Sequence, residues 1–250
     1  MKKLNLPLFV TLAASPAAYS ATVIPIVGFD PGTFFSGGVT AGLDFDDGTS
    51  TNYPDPTQPG FLSIPASNNK NYSVTTGGIN FDITVANANL GNQNRNRNNV
   101  NAGPIMTDFE QWYGRDQPGP VEATVSLSGL VANTDYQISF FTANVGAGQT
   151  THSFYEGISS ADPLITTFTT AGNQNNYSGW SPGITFEINS GPNAEIAVTI
   201  QATEYTSGDF IESRLTLDGI SVIQGATIPE PSAIALTALA GLGLLRRRRK

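Results

Sequence analysis

The sequence contains no cysteine. Disulfides and thiolate-held metals are therefore excluded, and stability must come from core packing alone. Histidine is nearly absent too, since His152 is the single one. No Gly-x-Ser-x-Gly elbow, Walker loop or His-Glu-x-x-His pair occurs, so the familiar hydrolytic and nucleotide-binding signatures are missing. A lone histidine in a polar stretch reads as an exposed side chain, and any Ser-His-Asp triad would have to run through it.

Basic residues are scarce and badly distributed. Lys2, Lys3, Arg246, Arg247, Arg248, Arg249 and Lys250 take seven of the twelve, leaving Lys70, Arg95, Arg97, Arg115 and Arg214 against nineteen of the twenty acids. Residues 22–227 thus carry a net charge of −14. A surface of that sign repels phosphate, so nucleic acid is not a partner.

Long helical periodicity is the third absence. Apolar residues alternate instead, as Ile79, Phe81, Ile83 and Val85; as Val121, Ala123, Val125 and Leu127; and as Tyr136, Ile138 and Phe140. Ile196, Val198 and Ile200 form a fourth set. Leu215, Leu217, Ile220 and Val222 form a fifth, read as one late strand over 214–223 with a slip at Asp218-Gly219. Period two means half-buried strands, and clusters such as Gly77-Gly78 and Asn189-Ser190-Gly191 punctuate them. The fold class predicted is all-β, with 26 glycines and 16 prolines supplying turns.

The ends are different. Residues 1–20 run from Lys2-Lys3 through apolar Leu4–Ala14 to small residues, the pattern of a secretory signal peptide. Ala18 and Ser20 would precede the cut, which leaves Ala21 as the first residue of the exported chain. At the other end, Pro229-Glu230-Pro231 precedes an uncharged run over 232–245 and the cluster Arg246, Arg247, Arg248, Arg249 and Lys250. As a helix the run would span about 21 Å against a hydrocarbon core of about 30 Å, a short crossing that snorkelling arginines can help to complete. Cationic flanks stay cytoplasmic, so the domain is predicted to lie outside the membrane.

Residues 228–250 resemble the PEP-CTERM sorting signal of Gram-negative bacteria. That resemblance implies recognition by an exosortase-type enzyme after export by the Sec machinery, a transient membrane anchor through 232–245, and a place in the cell envelope or on the extracellular surface. The predicted organisation is a signal peptide (1–20), a β-sandwich domain (21–227) and a sorting and anchoring tail (228–250).

The phrase from Ala123 to Phe141 reads as strand, turn over Gly129–Asp135, then strand. With the late strand, it resembles jelly-roll domains of the galactose-binding and carbohydrate-binding-module kind. A two-sheet antiparallel sandwich is predicted, with a jelly roll preferred over a fibronectin-like order.

Two clusters stand out as candidate sites. Asp44, Asp46 and Asp47 precede Gly48 and offer the clustered oxygens that a hard cation such as Ca²⁺ needs, although the spacing fails as an EF-hand. Trp112, Tyr113, Arg115 and Asp116 combine aromatic faces with charged hydrogen-bonders, as sugar binding requires, and Tyr177 with Trp180 would form a second aromatic group. The sequence favours a non-enzymatic surface or matrix protein that binds polysaccharide. Its alternatives are a polysaccharide-active hydrolase or lyase on the same sandwich, and a purely structural biofilm or sheath component.

Overall fold

The computed structural model describes residues 21–26, 31–46, 58–65, 70–88, 110–113, 120–142, 149–170, 183–207 and 210–227. The signal peptide and the whole tail, including Pro229, Glu230, Pro231 and the arginines, lie outside these residues.

Six strands form one sheet, in the order β1 (Thr22–Pro25), β11 (Gly183–Asn189), β8 (Thr134–Phe141), β15 (Gly219–Thr227), β2 (Ala41–Asp46) and β3 (Leu62–Pro65). A second sheet runs β10 (Leu164–Thr170), β9 (Gln149–Glu156), β12 (Ile196–Ser207), β7 (Val121–Ser128), β5 (Ile79–Ala86) and β4 (Asn71–Thr76), with β13 (Phe210–Glu212) paired to β12. Every pairing is antiparallel except that of β2 with β3.

The strand order identifies the topology. In the first sheet β2, β15, β8 and β11 lie side by side, and in the second β7, β12, β9 and β10 do so. Ranked by chain order, these eight run first, eighth, third, sixth in one sheet and second, seventh, fourth, fifth in the other. That is the jelly roll. The remaining strands extend its edges.

Alternation produces the core as expected. β5 buries Ile79, Phe81, Ile83 and Val85 and exposes the residues between them; β7 buries Val121, Ala123, Val125 and Leu127 and leaves those between half-buried. Phe140 of β8 meets Phe154 of β9 at 5.7 Å and Phe186 of β11 at 6.0 Å, so the two sheets share one interior. The Gly77-Gly78 pair joins β4 to β5 with φ of 56° and 79°, the left-handed values that a two-residue hairpin turn requires.

One expected strand divides into two. The slip at Asp218-Gly219 separates β14 (Arg214–Leu217), which pairs with β6 (Glu110–Tyr113), from β15 in the six-stranded sheet. The likewise expected turn after β7 is a crossover, because β7 and β8 belong to opposite sheets. The short helix α1 (Pro31–Phe34) adds an aromatic layer outside the core: Phe34 and Phe35 lie 6.0 and 5.9 Å from the ring of Phe141.

Candidate functional site

The outward half of the alternation on the seven-stranded sheet is almost wholly polar, and neighbouring strands bond across it. Asn80 donates to the Ser128 hydroxyl at 3.3 Å, Thr124 and Thr199 share a bond at 3.1 Å, and Gln201 donates to Glu122 at 2.8 Å. Ser160 reaches the same Glu122 carboxylate at 2.6 Å. Such bonds knit β5, β7 and β12 into a rigid floor.

Two loops rise above it. The first follows β9 and is fastened at both ends: Gly157 N–H donates to Ala197 at 3.0 Å, and Glu156 N–H donates to Pro163 at 2.9 Å. Inside it the Asp162 carboxylate accepts the Ser159 amide at 2.9 Å. Gly157 has φ of 146°, and a Cβ there would stand 2.2 Å from Asp162 Oδ2, so no other residue fits without moving that clasp. The loop presents Ile158, a large aliphatic side chain left 73% exposed.

The second wall is the turn from Asn189 to Glu195. Asn189 accepts the Gly191 amide at 2.9 Å and donates to Asp135 at 2.7 Å, while Ser190 donates to the Val131 carbonyl at 2.6 Å. Ala194 takes a left-handed φ of 58°, and its N–H donates to the Gly191 carbonyl at 3.4 Å.

Between the walls lies a groove of about 560 Å³. Its lining combines Asp82, Glu156 and Glu195 with Ser126, Ser128 and Asn193, and Ile158 stands at its edge. No basic side chain is among the described lining residues. Such a surface hydrogen-bonds hydroxyl-rich, uncharged or cationic ligands and repels anionic ones.

The residues singled out in the sequence do not gather here. Trp112 is a correction: read as a ligand contact, it lies in β6, opposite Leu215, and is only 2% exposed. Its indole belongs to the core beside Tyr72 and Phe45. Tyr113 shares β6, opposite Arg214. Arg115, Asp116, Tyr177 and Trp180 lie outside the described residues.

Asp44 sits inside β2, buried, and its carboxylate accepts the Gln58 backbone N–H at 2.7 Å. Asp46 ends the same strand, and Asp47 lies outside the described residues. Among those residues no three or more His, Cys, Asp and Glu side chains converge on a metal position.

His152, expected on the surface, is buried completely in β9 opposite Ala202 and Phe168. Neither ring nitrogen has a hydrogen-bond partner among the described residues. Burial lowers its pKa from 6.5 to about 3, so it is a neutral imidazole at ordinary pH. In that state it packs like an aromatic residue and has no exposed atom with which to do chemistry.

No helix among the described residues is long and apolar enough to cross a membrane. No protein-family model matches the chain, and no curated protein matches it. Among solved structures, the chain is similar to the CBM32 of AlyQ in complex with 4,5-unsaturated mannuronic acid: 14% identity over 56% of this chain and 92% of that one, with a TM-score of 0.32. A family 35 carbohydrate binding module from Clostridium thermocellum gives 13% identity over 57% and 92%, with a TM-score of 0.33. The K3 cleaved adhesin domain of Lys-gingipain from Porphyromonas gingivalis gives 11% identity over 57% and 91%, with a TM-score of 0.31. The jelly roll itself rests on this chain's own strand order.

Proposed function

We propose that this is an exported, envelope-sorted and non-enzymatic surface or matrix protein whose jelly roll binds neutral polysaccharide in the groove beside Ile158. The observation that carries the reading is the groove's lining: hydroxyl, amide and carboxylate groups converge on a fixed floor, with one exposed aliphatic side chain above them. Sugar rings need both kinds of contact. Their hydroxyls bond to Asp82, Ser126, Ser128 and Asn193, while an aliphatic C–H face packs on Ile158. Three carboxylates and a domain charge of −14 oppose acidic chains.

Export and the sorting tail bring the domain to that ligand. The Lys2-Lys3 leader directs the chain to Sec export, and Pro229-Glu230-Pro231 with its arginine cluster hands it to an exosortase-type enzyme at the membrane.

A glycan array probed with the mature exported protein tests the reading. Binding to neutral polysaccharides, weakened by Asp82→Ala and by Asn193→Ala without loss of melting temperature, is the expected result. Absence of binding to any glycan overturns it. The hydrolase reading draws on the same carboxylates, and release of reducing ends from a bound polysaccharide would favour it instead.

A further inference from the structure

Residue Ala21 holds a contact that reaches from one sheet to the other. Its backbone nitrogen donates to Glu156 Oε2 at 3.0 Å, across 135 positions of sequence. Ala21 leads into β1, an edge strand of the six-stranded sheet, whereas Glu156 ends β9 in the seven-stranded one. The bond therefore ties the rims of the two sheets together.

β1 needs such a tie. It has four residues, pairs among the described strands with β11 alone, from Thr22 opposite Glu187 to Pro25 opposite Ile184, and spends one position on a proline. Ala21 and Val23 pack against the core without being fully covered by it. Glu156, by contrast, is held firmly, since its own amide is bonded to Pro163 at 2.9 Å and its register partner is Val198.

In an unprocessed chain the Ala21 nitrogen is an amide with one hydrogen and no charge. The sequence places the leader peptidase cut between Ser20 and Ala21, with small residues Ala18 and Ser20 before it. Hydrolysis breaks the C–N bond: the oxygen of water goes to the Ser20 carbonyl carbon, which leaves as a carboxylate, and the Ala21 nitrogen keeps its own hydrogen and takes up both protons of the water to become an ammonium. A full positive charge then stands at the position that already bonds Glu156. Charge-assisted bonds of this kind are shorter and stronger than neutral ones.

We propose that Glu156 is the docking carboxylate for the α-ammonium created at Ala21 by leader removal, so that processing latches β1 across the two sheets. Because Glu156 also lines the groove, the same event neutralises one of its three carboxylates. The latch rests on the export reading but not on the glycan one, and would hold with the groove empty.

The test uses the full exported chain. N-terminal sequencing of protein recovered from the envelope should begin at Ala21; any other start overturns the proposal. The chain starting at Ala21 is then compared with its Nα-acetylated form, which keeps the N–H donor and removes the charge. Acetylation should lower the melting temperature by roughly 1 to 4 °C in the parent and leave Glu156→Gln unchanged. An equal effect on both, or on neither, refutes the latch. A second readout is independent of stability: at neutral pH the Ala21 amine should react more slowly with a succinimidyl ester in the parent than in Glu156→Gln. Equal rates overturn the pairing, and Ser160→Ala should match the parent in both measurements.

Discussion

The indole of Trp112 meets the ring of Phe45 edge-on, with centroids 6.5 Å apart and planes at 87°. Tyr72 completes a triangle, 6.5 Å from Trp112 and 5.6 Å from Phe45, so the three rings bind β6, β2 and β4 into one packing unit. Trp112→Ala should therefore cost roughly 3 to 5 kcal/mol of stability, the range for emptying a buried aromatic site. Chemical denaturation measures the loss, and a glycan titration in the cold, where the variant is still folded, should give the parent's affinity. A fully stable variant with lost binding would return Trp112 to the ligand site.

The second prediction concerns His152. Its folded pKa of about 3 lies below the ordinary 6.5, so between those values the unfolded chain takes up a proton that the native one refuses. Stability is complete above 6.5 and falls as pH drops through that window, by about 1.4 kcal/mol per pH unit at most. Carboxylates ordinarily titrate near about pH 4, in the lower part of that window, so the histidine is isolated between about pH 6.5 and 5.5. Urea midpoints should fall over that interval in the parent and stay level in His152→Leu. A flat parent curve would mean that the imidazole reaches water or a partner.

Much of the fold was legible because burial repeats every second residue. Ile79 to Val85 and Val121 to Leu127 announce strands whichever sheet they join, since alternation depends only on having one wet and one dry face. Sheet membership is not local information. Leu215 and Ile220 look like one strand, and only the pairing of β14 with β6 shows that the chain changes sheets at Asp218.

The candidate site was less legible for a related reason. Trp112 and its charged neighbours have the chemistry of a sugar site, yet a tryptophan satisfies a core equally well, and register decides between the two. The groove residues Asp82, Ser126 and Ser128 were present in the sequence as the polar half of the very alternation used to find the strands. Asn189-Ser190-Gly191 read only as punctuation, because bonds to Val131 and Asp135, more than fifty positions away, turn it into a wall.

A third prediction follows from where β15 ends. Its last residue, Thr227, is in register with Thr134, and the jelly roll is complete at that point. A chain truncated after Thr227 should keep the parent's far-ultraviolet circular dichroism and melting temperature while escaping from the envelope into the medium. Loss of the cooperative transition would place part of the folding unit within 228–250.

The last prediction isolates Ile158. At 73% exposure it contributes little to the native fold, so Ile158→Ala should change stability by less than about 0.5 kcal/mol, as surface substitutions do. Binding is another matter if a sugar ring covers the side chain. Alanine removes three carbons, and at about 0.8 kcal/mol per buried methylene a partly covered isoleucine is worth roughly 1 to 2 kcal/mol of affinity. The loop beneath it is clasped by Asp162 and fastened to Ala197, so the backbone should stay in place and the loss should come from the side chain alone. Isothermal titration of parent and variant with a neutral oligosaccharide found on the array measures it. An unchanged affinity would move the apolar contact away from this loop, while loss of both affinity and melting temperature would show that Ile158 supports the fold and not the ligand.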